Sequence, residues 1–116
     1  MHTPVVSSRL RDGTVTVCPR GEVDLGNAYQ IREAVDRALI GPKPRRIVVD
    51  LGEVALIDSV GIGVLVSCYH AAAACRVPLT AAHPSIVVYR QLWVAGLAGL
   101  FGLATPRPDA RESAVA

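Results

Sequence analysis

Asp58-Ser59 stands between an apolar run, Val54–Ile57, and a longer one, and two glycines follow at Gly61 and Gly63. An Asp or Ser at the start of a periodic apolar segment accepts a hydrogen bond from a first-turn N–H that helix geometry leaves unpaired. Each glycine inside a helix costs about 1 kcal/mol relative to Ala. Two so close together therefore imply that another backbone, or a partner protein, comes near that turn. A hydroxyl at a helix N-terminus can also receive a regulatory charge or mimic one. The pattern predicts recognition rather than catalysis.

Other reactive residue types form no comparable pattern. His2, His70 and His83 are isolated from one another and from the acids, and His70, on an apolar helix, reads as a core or boundary residue. Cys68 and His70 cannot form a nucleophile pair, because i and i+2 on a helix do not face each other. Cys68 and Cys75 are seven apart, which shares a helix face but matches no common zinc spacing. Together with Cys18 they read as reduced, mostly buried thiols. Gly61-Ile-Gly63 lacks the third glycine of a dinucleotide fingerprint, and no Lys-Ser/Thr follows as a phosphate-cradling loop requires. Glu22 with Asp24, and Asp58 across the fold, are the plausible carboxylate group, but no acid–base pair is spelled out. No metal or cofactor is expected.

Composition bounds the rest. The chain has 116 residues, 51% of them apolar and 19% charged, which fits one domain with a real core. A net charge of +2 does not argue for nucleic acid, and the trio Lys43, Arg45 and Arg46 reads as a solvated, proline-rich connection. The N-terminus lacks a basic n-region and an apolar h-region, so a cytoplasmic protein is expected. The segment from Val60 to Ala74 is interrupted by Ser67 and His70 and is shorter than the roughly 20 residues a membrane span needs, which makes it a core helix.

The elements that must position the Asp58 segment follow from periodicity. Asp12-Gly13 signals a hairpin, with Val15 and Val17 on one side of its second strand, which runs on toward Val23. Asp24 through Asn27 is a helix-start cluster. A helix from about Ala28 to Ile40 then carries Ala28, Ile31, Val35, Ala38 and Leu39 in one stripe until Gly41-Pro42 stops it. Arg46–Leu51 reads as a buried strand, 60–75 as a helix and 77–82 as a strand. Ser85 caps a helix over 86–94, and the glycine-rich 96–102 segment leads into a short apolar strand or extension that belongs to the core. The tail, 105–116, is a weak helix or frayed end. The expected fold is α/β, a mixed sheet with helices packed on it, in the order β-β-α-β-α-β-α. The domain spans 1–116, with its core over about 5–104.

Two segments carry a family resemblance. Gly21-Glu-Val-Asp-Leu-Gly-Asn-Ala28 resembles the Gly-Glu-Leu-Asp-x-x-x-Ala motif of STAS domains. Leu56-Ile-Asp-Ser-Val-Gly-Ile-Gly-Val-Leu65 resembles their Asp-Ser-Ser/Thr-Gly-Leu-Gly-Val-Leu motif, and the two lie about 35 residues apart. The element order and the Val94–Phe101 segment also match, so the resemblance runs from about residue 5 to 115. Small single-domain members are bacterial anti-sigma factor antagonists. The resemblance implies a non-catalytic cytoplasmic protein, monomer or weak dimer, that binds a serine-kinase ATPase-type anti-sigma factor and so releases a sigma factor. The binding surface it implies comprises Asp24, Asp58, Ser59, Val60, Gly61, Ile62 and Gly63, with Asp24 and Asp58 doubling as helix N-caps. Alternative roles are a STAS scaffold or accessory subunit of a stress-signalling or lipid-transport complex, or a small-molecule or nucleotide sensor using the cleft beside the glycines.

The main departure from the motif is at Val60. The family's phosphorylated switch is the Ser or Thr directly before the first glycine, and Val60 cannot accept a phosphate. Ser59 matches the preceding family serine, a structural cap, and is the available substitute acceptor.

Overall fold

Residues 6–103 are described by the computed structural model. Asp12 and Gly13 both take positive φ, 52° and 80°, which gives a primed turn whose twist matches that of the strands it joins. It links β1 (Val6–Arg11) to β2 (Thr14–Val23) as an antiparallel pair. Next come α1 (Tyr29–Ile40), β3 (Arg46–Asp50), β4 (Glu53–Ile57), α2 (Ser59–Ala74), β5 (Leu79–Ala82) and α3 (Ile86–Val94). The sheet order is β1-β2-β3-β5, with β4 also on β2, and every pairing except β1–β2 is parallel.

The mixed α/β fold is as the sequence predicts, but the order β-β-α-β-β-α-β-α holds one strand more. β4 continues the path of β3 along β2 after a break. Thr14 pairs Arg46, Arg20 pairs Glu53 and Glu22 pairs Leu56, so the offset grows by one residue at Leu51-Gly52 and by another at Ala55. Each extra residue is a bulge, and bulges destroy the period-2 alternation by which a strand is recognised. In β4 the buried residues are Val54 and Ile57, three apart instead of two.

One sheet face carries Val15, Val17, Ile47, Val49, Leu79 and Ala81, all buried. α1 covers it with Ile31, Ala34 and Val35, and α2 with Leu65, Cys68 and Ala72. The opposite face, with Thr14, Thr16, Cys18, Val48, Asp50 and Thr80, is only half-buried. Phe101 is buried as predicted for its segment, but 96–102 forms turns rather than a strand, attached to β5 by one backbone bond from Ala81 N–H to the Phe101 carbonyl (2.9 Å). The predicted tail over 105–116 lies outside the described residues. Among the described residues no helix is long and apolar enough to cross a membrane.

Of the three thiols only Cys68 is fully buried; Cys18 is half-buried and Cys75 exposed, which corrects the expectation of mostly buried thiols. Burial pushes the Cys68 thiol up from its ordinary 9.0 to about 11, and the carboxylate of Asp36 adds to this while Arg32 opposes it. The unfolded chain then loses this proton before the folded one does. Stability is therefore intact below pH 9 and falls as pH rises from 9 toward 11, by roughly 2–3 kcal/mol in total. Urea unfolding across that range should show the decline, and Cys68→Ala should flatten it by that amount; equal slopes in the two proteins would refute the assignment.

Candidate functional site

The C-terminal ends of β2 and β4 lie side by side, with Val23 paired to Ile57, and the helices that follow them start together. Asp58 caps α2. Its Oδ1 accepts from Gly61 N–H (2.8 Å), and its Oδ2 accepts from Leu25 N–H in the β2–α1 loop (3.2 Å). One carboxylate thus fixes the start of α2 and ties it to the neighbouring loop. The cap is Asp58 and not Ser59, which is the first helical residue, is exposed and has no side-chain hydrogen bond among the described residues.

The β2–α1 loop is organised by its own polar side chains. Asp24 Oδ1 accepts from Gly26 N–H (2.9 Å), Asn27 Oδ1 from Asp24 N–H (2.9 Å), and Asn27 Nδ2 donates to the Glu22 carbonyl (2.7 Å). These are local side-chain-to-backbone turns of the kind Asp and Asn favour outside helices. The helix-start cluster therefore shapes a loop, and α1 begins at Tyr29 with Ala28 at its cap position and no side-chain cap.

The two glycines divide the role predicted for them. A Cβ on Gly61 would lie 2.8 Å from Ile57 Cγ2, 2.9 Å from Val23 Cγ1 and 3.1 Å from the Val23 carbonyl, so Gly61 is required by the protein's own packing. A Cβ on Gly63 would meet nothing within 4 Å, and Gly63 faces solvent. Ile62 between them is half-buried against the core.

The resulting surface joins apolar shoulders to acids. Val60 is 40% exposed and Leu25 76% exposed, with Tyr29 beside the loop, while Asp24, Asp58 and Glu22 supply negative charge. The N–H groups of Ser59 and Val60 have no partner among the described residues. From the other side, Ile57 is clamped by Gln91 of α3: its N–H donates to Oε1 (3.1 Å) and its carbonyl accepts from Nε2 (2.7 Å).

Leu25, Asn27 and Gln91 were not singled out in the sequence. A carboxamide isolated in the apolar run Ile86–Val94 is the signal that could have found Gln91. The remaining chemical residues lie elsewhere. His70 is exposed, its ring edge-on to Tyr69, which corrects its reading as a core or boundary residue. His83 faces Asp50 beyond β5 at 3.3 Å, and His2 lies outside the described residues. Arg45 and Arg46 serve the hairpin at the opposite end of β2, through the Gly13 carbonyl and Thr14 Oγ1. No group of three or more His, Cys, Asp and Glu among the described residues is placed to hold a metal ion.

Removing the Asp58 carboxylate tests this construction. Asp58→Ala leaves Gly61 N–H and Leu25 N–H unpaired and should cost about 1–2 kcal/mol, the usual range for a lost N-cap. Asp58→Asn keeps one acceptor oxygen and should recover more than half of that in urea unfolding. A neutral Asp58→Ala would mean the carboxylate does not hold the loop.

The STAS domain family model matches residues 6–111. Among solved structures, a Thermotoga maritima protein described as a candidate anti-sigma factor antagonist superposes with a TM-score of 0.76 at 23% identity, over 93% of this chain and 92% of that one. An anti-sigma factor antagonist from Mycobacterium paratuberculosis gives 0.72 at 22%, over 93% and 91%. SpoIIAA of Bacillus, an anti-sigma factor antagonist, gives 0.73 at 20% in its unphosphorylated form, over 95% of either chain. At these identities the likeness is one of fold. The chain matches none of the curated proteins by sequence.

Proposed function

The chain belongs to the STAS domain family, and from that premise we propose that it is a non-catalytic binding protein of the anti-sigma factor antagonist kind. Its partner is an anti-sigma factor of the serine-kinase ATPase type, and its binding releases the sigma factor that the partner holds. The docking surface is the start of α2 with the loop tied to it: Asp24, Asp58, Ser59, Val60, Gly61, Ile62 and Gly63. The observation that carries this reading is the exposed first turn of α2, which presents Val60, two free N–H groups and an open Gly63 beside the Asp58 cap. An apolar centre rimmed by acids suits a protein partner better than a small substrate.

Val60 occupies the position at which the family is phosphorylated, so we read the chain as a binder that its partner kinase cannot switch off there. Tagged protein recovered from its source cells should carry a small ATP-binding serine-kinase-like protein, identified by mass spectrometry. That protein, purified, should bind the chain and should lose affinity for Asp58→Ala. Transporter or stress-complex subunits in its place would assign the chain to a scaffold role.

A further inference from the structure

α3 is apolar on two faces. Val88 and Leu92 point into the core, while Ile86 and Val94, 68% and 79% exposed, stand on the opposite side with Arg90 midway between them. Val87 lies beside this row, and with Ile62 of α2, Arg90, Gln91, Val94 and Ala95 it lines an open groove of about 590 Å³. Burying Val88 and Leu92 would be enough to dock α3, so the second apolar row does nothing for the fold. Exposed apolar stripes at i, i+4 and i+8 are how a helix is recognised by another helix.

We propose that this groove docks an amphipathic helix of a partner protein that places an acidic side chain between its apolar anchors. The charge of the groove selects this occupant. Arg90 is its one cation, is exposed, and forms no ion pair among the described residues. A second copy of the chain fits poorly: a two-fold pairing centred on the groove brings one Arg90 against the other, and like charges at the middle of an interface oppose it. An acidic residue there gains a planar, bidentate partner instead. The groove also adjoins the start of α2, because Gln91 lines it and the same side chain holds both backbone groups of Ile57, next to the Asp58 cap. The proposal rests on the groove alone and does not depend on the nature of the protein that the Asp58 surface binds.

The test uses two designed helical peptides, each about 18 residues long so that the helix spans several turns. They are identical in their leucine stripe and differ only in a central Glu or Lys. Titrated into the isotopically labelled protein, the Glu peptide should shift the amides of Ile62, Val87, Arg90 and Val94 saturably, and should bind at least about tenfold more tightly than the Lys peptide. Arg90→Glu, at an exposed position, should fold normally and reverse the preference. No saturable shift, equal binding of the two peptides, or shifts centred on Leu25 and Asp58 would overturn the proposal. A dimer in light scattering that Val94→Glu dissolves would give the groove to a second copy and also overturn it. Neither arm uses the anti-sigma factor, so this proposal and the proposed function fail separately.

Discussion

Gly61→Val should lose about 3 kcal/mol of stability and melt on the order of 10 °C below the parent chain, while Gly63→Ala should melt a few degrees above it. The two positions share one helix and differ in what surrounds them. At Gly61 the added carbon meets Ile57 Cγ2 and Val23 Cγ1 at 2.8 and 2.9 Å and the Val23 carbonyl at 3.1 Å. Val23 and Ile57 are buried and paired across parallel strands, and β-branched side chains have few rotamers with which to retreat. The β2–β4 pair or α2 itself must therefore move, and Asp58, held by bonds to both sides, moves with it.

Gly61→Ala is the graded case. It gains about 1 kcal/mol of helix propensity and loses about 1–3 kcal/mol to crowding, so it should fall between the parent and Gly61→Val. At Gly63 nothing opposes the propensity gain, and the variant should be more stable by roughly 0.5–1 kcal/mol. If Gly63 is left bare so that a partner can approach, the same methyl group should weaken binding while it raises the melting temperature. Unfolding curves decide the packing claim: Gly61→Val with parental stability would refute it.

The distance over which residues cooperate decided how much of the molecule could be read from its sequence. The hairpin was legible because Asp12-Gly13 is a two-residue signal, α1 because its stripe repeats within twelve residues, and β3 because Ile47-Val48-Val49 is uniformly apolar. β4 was not, since the irregularity at Gly21/Glu22 and the extra Ala55 break its alternation. The motif segments located the candidate site, but its construction depends on pairs far apart in the chain. Leu25 meets Asp58 across 33 positions, and Gln91 meets Ile57 across 34. Nothing local in a leucine after Asp24 reports that its N–H will be held by a carboxylate on another element. The cap itself lay within reach of local reasoning. Asp and Ser are near-equal N-caps, and the choice between Asp58 and Ser59 was settled by the strand: Asp58 N–H still bonds the Val23 carbonyl at 2.9 Å, so the helix starts one residue later.

Val60→Ser should convert a chain that gains no phosphate into one that gains a single phosphoryl group, when it is incubated with the proposed serine-kinase partner and ATP. Val60 is 40% exposed and lies outside the buried core, and Val and Ser have similar helix propensities, so the substitution should change stability by less than about 0.5 kcal/mol. The modified residue sits at the start of α2, where the dipole and the free N–H groups favour an anion by about 0.3–1 kcal/mol; the phosphoprotein therefore stays folded. Binding is a different matter. The group brings a charge of about −1.5 to −2 beside Asp58, with Asp24 and Glu22 on the same surface, into a contact that excludes water. Like-charge repulsion and the cost of stripping the phosphate of its hydration both oppose the complex, whereas neither acts on the free chain. Affinity for the partner should fall at least about tenfold, equivalent to about 1.4 kcal/mol. Intact mass reads the first step and titration calorimetry the second. A phosphate on the parent chain, mapped to Ser59, would show that the hydroxyl one residue earlier replaces the missing one; the reading of this chain as a binder without an off-switch would then be wrong.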